Sequence, residues 1–121
     1  MSRPTQPQIE ALVRLWTMAQ RDHGGARVVL RVLLGCYNGS RFPFDLTDLR
    51  LLDEAVLQDV LTVLIMDSSP WKEVHELLND ALGRRDIGHR LELLACDWRF
   101  KGKCSKEYER ELRARLAGAA A

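Results

Sequence analysis

Side chains that could bind a metal ion or act as nucleophiles are few in this chain of 121 residues, and they lie far apart in the sequence. They are three histidines and three cysteines: His23, His75, His89, Cys36, Cys96 and Cys104. None of them has the Cys-x-x-Cys, His-x-x-x-His or Glu-x-x-His spacing that metal sites use. A pair of Cys104 and His89 could arise only through folding, and no nucleophile motif surrounds either residue. The sequence therefore predicts no metal, no cofactor and no enzymatic activity.

Three aspartates lie close together in the block that begins at Phe42. Asp45, Asp48 and Asp53 could gather on one side of the chain and bind a divalent cation. Each also stands where a carboxylate caps a helix or favours the positive end of its dipole. The capping interpretation accounts for all three and is preferred. The aromatic side chains of Phe42 and Phe44 are predicted to anchor the link between two helices.

Charge is distributed unevenly, although the formal net charge is only +1. Residues 1–50 carry a net +3, residues 51–81 a net −6 and residues 82–121 a net +4. Two interpretations stay open: separate charged surfaces, or weak charge pairs between neighbouring helices. If the acidic residues share one face, they form a candidate partner-binding surface that could mimic nucleic acid. Its members are Asp53, Glu54, Asp59, Asp67, Glu73, Glu76 and Asp80.

The C-terminal part of the sequence holds an alternative binding surface. Basic residues there are interleaved with aromatic ones, a pattern typical of proteins that contact phosphates and stack on bases. Glutamates dilute this basic tract, and Trp98 and Tyr108 also have core spacing, so a solvated helix surface is the competing interpretation. The candidate nucleic-acid contacts are Arg99, Lys101, Lys103, Lys106, Arg110, Arg113 and Arg115.

The elements that must position these residues are all predicted to be helices. Thr5 and Gln8 form a capping box, which predicts a first helix with an apolar stripe that begins at Ile9. A second helix is predicted over residues 26–37. His23 is assigned to the end of the first helix, where a cation favours the helix dipole.

Residues 54–66 carry apolar side chains on more than one side, which predicts a helix packed on several sides at the centre of the fold. Ser69 and Pro70, a cap followed by a proline, predict the start of the next helix with Trp71 on its inner face. Capping residues predict the starts of two further helices. These are Asp86 and Ser105.

The predicted fold is all-α, a compact single-domain bundle of five to seven helices around the central apolar helix at about residues 54–66. The domain is expected to span residues 1–121 with short flexible ends, about residues 1–5 and 117–121. The N-terminus lacks the apolar core of a secretory signal, and no apolar run reaches the roughly 20 residues of a membrane span. A cytoplasmic protein with reduced cysteines is therefore expected.

Residues 9–66 also resemble a known group of proteins. The resemblance is carried by Arg27 to Leu34, Tyr37 and Asn38, Phe44 to Leu49, and Leu52 and Asp53, and it weakens toward Trp98 and Arg99. These segments look like an uncharacterised family of small helical proteins from proteobacterial genomes, phages and integrative elements. The resemblance implies a compact helical architecture and a mobile-element origin, and it assigns no catalytic residues.

Together these features predict a non-enzymatic protein that binds another macromolecule. By analogy with the resembling family, we expect an inhibitor or adaptor of host machinery. Its most concrete form is an anti-CRISPR inhibitor that binds a host protein or ribonucleoprotein complex through the acidic residues. The alternative is a small DNA- or RNA-binding regulator that uses the basic tract. A monomer or a homodimer would fit either function.

Overall fold

Seven helical segments follow one another along residues 2–98, 100 and 105–120, which are the residues that the computed structural model describes. They are α1 (Gln6–Ala19), α2 (Gly24–Tyr37), a 3-10 helix (Leu46–Leu51), α3 (Glu54–Ser68), α4 (Val74–Leu82), α5 (Ile87–Asp97) and α6 (Lys106–Ala120). No strand occurs in this part of the chain. The prediction of an all-α, compact single-domain bundle is confirmed. The predicted flexibility of the two ends stays a prediction.

Hydrogen bonds confirm some of the predicted helix starts. The Thr5 hydroxyl accepts from the backbone N–H of Gln8 at 3.3 Å, and the Gln8 side chain accepts from the backbone N–H of Thr5 at 2.9 Å. Asp45 caps the 3-10 helix by accepting from the backbone N–H of Thr47 at 3.0 Å. Asp53 occupies the N-cap position of α3, but its side chain makes no capping hydrogen bond there. Local sequence thus decides where these helices begin.

His23 caps the start of α2 instead of closing α1. Its Nδ1 accepts a hydrogen bond of 3.1 Å from the backbone N–H of Ala26. The predicted position of His23 at the end of α1 is wrong, because α1 ends at Ala19 and His23 is the N-cap of the next helix. The same geometry adds Gly24 to α2, which therefore begins earlier than predicted.

Helix α4 begins later than Pro70, where the sequence places its start. Glu73 is the N-cap, and its backbone N–H donates to the Glu76 carboxylate at 3.1 Å in a capping box across the first turn of α4. Trp71 therefore lies outside the helix and is 44% exposed, so its predicted inward position is wrong. The capping box stabilises a helix start at Val74, whereas Ser69 and Pro70 do not start a helix.

The centre of the core is α2 and not α3. Helix α1 packs against α2, α3 and α4, and α2 also contacts α3, α4 and the 3-10 helix. Helix α3 buries only Val60, Val63 and Met66, so the prediction that it is packed on several sides is wrong. An apolar composition on several sides does not guarantee that the chain supplies a neighbour on each of them. The buried residues of α2 are Ala26, Val28, Val29, Leu30, Val32, Leu33 and Leu34.

Candidate protein-binding site

The segment that joins α2 to the 3-10 helix lies between two cavities. Phe42 is 4% exposed and Phe44 is half-buried, and both rings line both cavities. One cavity, of about 500 Å³, faces the end of α5, and the other, of about 310 Å³, faces α3. The predicted anchoring role of Phe42 is confirmed, and this short segment shapes both concave surfaces.

The larger cavity is lined by groups that already contact one another. The Arg31 guanidinium lies 4.8 Å from the centre of the Phe100 ring and pairs with Asp48 at 3.4 Å. Next to it, the Arg27 guanidinium lies 4.1 Å from the centre of the Trp98 ring. Such stacking is favourable between a cation and an aromatic face. These two rings, which the sequence offers for stacking on bases, are therefore occupied by arginines of the same chain.

The smaller cavity is an open apolar groove, here called the α3 groove. Leu46 and Leu64 form its rim, and they are 73% and 37% exposed. Asp67 is the only charged residue among those that line it. The groove is lined by Val32, Gly35, Cys36, Gly39, Phe42, Phe44, Leu46, Leu64 and Asp67.

The exposed side of α3 continues the apolar surface of this groove. Leu61 and Ile65 are 40% and 68% exposed. Leu61 lies three residues before Leu64 and four before Ile65, which places all three on one side of the helix. No other described residue covers this side enough to bury it. Leu46, Leu61, Leu64 and Ile65 together are called the α3 apolar face. Contiguous exposed apolar surface is typical of interaction sites.

Asp67 lies in the groove beside the thiol of Cys36. Burial raises the pKa of the Asp67 carboxyl, and the negative charge of Glu73 raises it further. Burial and the neighbouring Asp67 together raise the pKa of the Cys36 thiol to about 12. No ion pair reaches Asp67 from the described residues. The groove therefore contains a carboxylate that burial and a like charge both disfavour.

The other predicted acidic residues have different surroundings. Asp59 receives two hydrogen bonds of 2.9 Å from Arg14 on α1. Asp80 pairs with Lys72 at 2.8 Å. Four more occupy helix starts: Glu73 and Glu76 form the capping box of α4, and Asp53 and Glu54 are exposed at the start of α3.

This arrangement divides the predicted acidic face. Asp67 and Glu73 are near enough for their charges to interact, whereas Asp59 and Asp80 are neutralised by cations of the same chain. The ion pairs of Asp59 and Asp80 agree with the interpretation of charge pairs within the chain, whereas a separate acidic surface stays a prediction. Of the acidic candidates, Asp67 lines the α3 groove.

The basic tract is described only in part. Lys106, Arg110 and Arg115 are exposed on α6. Arg113 donates to Asp97 at 2.7 Å and also pairs with Glu109, so part of its charge is compensated within the chain. Three further candidates lie outside the described residues. These are Arg99, Lys101 and Lys103.

A buried polar cluster that the sequence analysis missed joins α2, α5 and α6. Glu92 is 4% exposed and accepts hydrogen bonds of 2.8 and 2.7 Å from Arg41. It also accepts from the hydroxyls of Tyr37 at 2.8 Å and Tyr108 at 3.5 Å. Burial acts to raise the pKa of Glu92, but the hydrogen bonds from Arg41 and Tyr37 outweigh it and the pKa is lowered.

This cluster lines neither cavity, so it serves to join helices. The sequence contains a signal for it: Glu92 is a single carboxylate between Leu91 and Leu93 in a helix whose neighbouring positions are apolar. A carboxylate at such a position is buried only when it is paired.

The cysteines and histidines form no metal site in the described residues. Cys36 is a free, half-buried thiol. Cys96 is buried and disulfide-bonded, which corrects the expectation that all three cysteines are reduced. Cys104 lies outside the described residues. His75 packs edge-on against Tyr37, with ring centres 5.1 Å apart, and takes no part in either cavity.

The fold and the site define a small all-α domain with an open apolar groove beside α3. The chain belongs to a family of unknown function, DUF7673, which matches residues 9–99. The predicted membership of an uncharacterised family is thereby confirmed, and the match extends beyond the predicted residues 9–66. In comparisons with curated proteins and with solved structures, nothing matches the chain.

Among the helices described, none has both the length and the apolar character needed to cross a membrane.

Proposed function

We propose that this protein acts by binding another protein through the α3 apolar face. The observation that carries the proposal is the uncovered side of α3, where Leu61, Leu64 and Ile65 are exposed beside Leu46 of the 3-10 helix. Helix α3 buries one apolar side and exposes another. Burial of the exposed side against a partner is favourable by roughly 25 cal/mol for each Å² removed from water.

The family resemblance suggests a more specific form of this function. It is an inhibitor or adaptor of host machinery, encoded by a mobile element and acting in the cytoplasm. An anti-CRISPR role against a host ribonucleoprotein complex is its narrowest version. That version rests on analogy. Surface chemistry supports only the coarser part, namely binding to a protein.

A photo-crosslinking residue at position 65 tests the proposal. It replaces Ile65 on the α3 apolar face, and a control carries the same group at Leu82, another exposed apolar residue, on α4. In host lysate we expect the first variant to capture a defined protein and the control to capture none. The double substitution Leu61→Ser and Leu64→Ser should abolish that capture while the circular dichroism spectrum stays helical. Equal capture by both crosslinkers would contradict the proposal.

The alternative function is nucleic-acid binding. Three cations of the basic tract are exposed in its described part and could contact phosphates. They are Lys106, Arg110 and Arg115. A mobility shift with random duplex or single-stranded DNA at low salt tests it, because contacts to phosphates weaken steeply as salt rises. Absence of a shift at micromolar protein eliminates this alternative.

A further inference from the structure

The α3 groove combines two chemical properties that narrow the class of partner. Its rim and walls are apolar, from Leu46 on one side to Leu64 on the other, with Phe42 and Phe44 between them. Asp67 adds a carboxylate to this lining. A ligand that fills the groove therefore meets apolar surface and one negative charge in the same place.

The negative charge in this region lacks a compensating cation among the described residues. Glu73 reinforces the charge of Asp67 instead of neutralising it. Lys72 is the only Lys or Arg between residues 51 and 81, and its ammonium group pairs with Asp80. A carboxylate that is half-buried next to a like charge is stabilised when a cation arrives and forms a hydrogen bond with it.

The charge of α3 also argues against a second copy of this chain as the occupant. Helix α3 has exposed acids at its start, Asp53 and Glu54, and Asp67 near its end, and it contains no Lys or Arg. If two α3 helices packed side by side, either parallel or antiparallel, they would place carboxylates near carboxylates. Juxtaposed like charges disfavour association, whereas a basic partner would meet complementary charge.

We propose that the α3 groove binds a basic amphipathic segment of another protein. Apolar side chains of that segment, spaced three or four residues apart, pack between Leu46 and Leu64, and a Lys or Arg of the segment pairs with Asp67. This mode of binding is the one used by grooves that accept the apolar side of a partner helix. The inference rests on the proposed function and specifies the chemistry of its partner.

The test does not require the natural partner. A display library of random 16-residue peptides is selected on the immobilised full-length chain at 50 mM NaCl. We expect enrichment of peptides with apolar residues three or four positions apart and a net positive charge. Representative enriched peptides are then synthesised with a fluorescent label, and their dissociation constants are measured by anisotropy.

Variants of the chain locate the binding. Leu64→Ser should weaken binding about tenfold, because it removes an anchor from the rim. Asp67→Asn should weaken it about fivefold and reduce its dependence on salt between 50 and 500 mM NaCl. Asp80→Asn removes an exposed carboxylate outside the groove and is the matched control, with an expected change of less than about twofold. Unchanged circular dichroism spectra show that each variant is folded.

The outcomes separate this inference from the proposed function. Enriched peptides that are neutral or acidic but lose affinity for Leu64→Ser overturn the basic partner and leave protein binding by the α3 apolar face intact. If no peptide is enriched, or if binding is the same for Leu64→Ser and the wild type, the inference is overturned, and the crosslinking experiment at position 65 decides the proposed function. A concentration-dependent dimer in light scattering that Leu64→Ser disrupts assigns the groove to a second copy and also overturns the inference.

Discussion

The carboxylates of the α5 region and the carboxylate of the α3 groove have opposite surroundings. Asp86 accepts hydrogen bonds from Arg84 at 2.8 and 2.7 Å and from Arg90 at 2.8 Å, and these bonds, led by those from Arg84, lower the pKa of Asp86 to about 2. Glu92 is buried and also has a lowered pKa, because Arg41 compensates its charge. Asp67 has a raised pKa and no cation among the described residues.

The difference separates the parts of the molecule that stabilise the fold from the part that is available for binding. On α5 the chain supplies each buried or half-buried carboxylate with arginines, so those charges are already paired when the protein is alone. On α3 it leaves an apolar side uncovered and, within the described residues, a carboxylate without a cation. Groups that are unpaired in the folded chain gain most from a second molecule.

Among the substitutions that test this contrast, Arg41→Ala is expected to have the largest effect on stability. The substitution leaves Glu92 buried without its bidentate partner, which should lower the free energy of unfolding by about 3 kcal/mol. Arg14→Ala is the matched control, because Arg14 makes a bidentate pair of similar geometry with Asp59 while its own side chain is 60% exposed. Urea unfolding should show a much smaller loss for the control, and equal losses would contradict the assigned role of Glu92.

Two neighbouring residues of α3 lie on its two sides, one buried in the core and the other exposed. Met66 is 8% exposed and Ile65 is 68% exposed. Met66→Ala should lower the free energy of unfolding by about 2 kcal/mol, because it opens a cavity in the core. Ile65→Ala should change it by less than about 0.5 kcal/mol. A large loss for Ile65→Ala in urea unfolding would mean that the α3 apolar face is covered in solution.

The pH dependence of stability should show the pairing of Asp86. Because its folded pKa lies below the ordinary value of 3.8, its contribution is fully present above about pH 4 and is lost as pH falls toward 2. Asp86→Asn should therefore be less stable than the wild type by about 1 to 2 kcal/mol at pH 7. Unfolding curves between pH 2 and 7 should converge at the acidic end. A constant difference would exclude this pairing as the cause.

The contribution of Asp67 to stability should depend on pH with the opposite sign. Its folded pKa lies above 3.8, so the folded chain holds that proton more tightly and stability decreases as pH rises through the folded pKa. Asp67→Asn removes this decrease, and at pH 7 the variant should be at least as stable as the wild type. The two proteins should match near pH 3. Lower stability of Asp67→Asn at pH 7 would indicate a cation partner for Asp67 within the chain.

The smallest effect on stability is expected from a substitution that adds a cation near Asp67. Leu64→Lys places an ammonium group three residues before Asp67 on the same side of α3, and such pairs stabilise a helix by about 0.3 kcal/mol. The pKa of Asp67, followed by NMR titration of its carboxyl carbon, should fall toward the ordinary value. No fall would show that burial alone, without the missing cation, sets that pKa.

Prediction from the sequence succeeded where the signals were local. Thr5 lies three residues from Gln8, and Asp45 lies two residues from Thr47. Caps that form over so short a distance can be predicted from the sequence alone. It failed for Pro70, because the competing Glu73 and Glu76 box was the stronger start, and for His23, because a ring nitrogen can accept as well as donate. The apolar periodicity also gave the number and type of the helices.

Pairings across the fold could not be read in this way. Glu92 lies 51 residues from Arg41 and 55 residues from Tyr37, and nothing in the sequence specifies that they meet. The α3 groove likewise combines residues of α2, the following segment and α3. Its lining depends on how three elements pack, whereas an apolar pattern says only that a side chain is suited to burial.

The sequence by itself determined that this protein is an all-α domain, because capping and apolar spacing act over a few residues. It also determined the existence of an acidic middle and two basic ends. Only the tertiary structure decided which acids are neutralised, which helix is central and which apolar side stays exposed. These outcomes depend on contacts between residues that are distant in the sequence, where packing selects one arrangement from many that the local pattern allows.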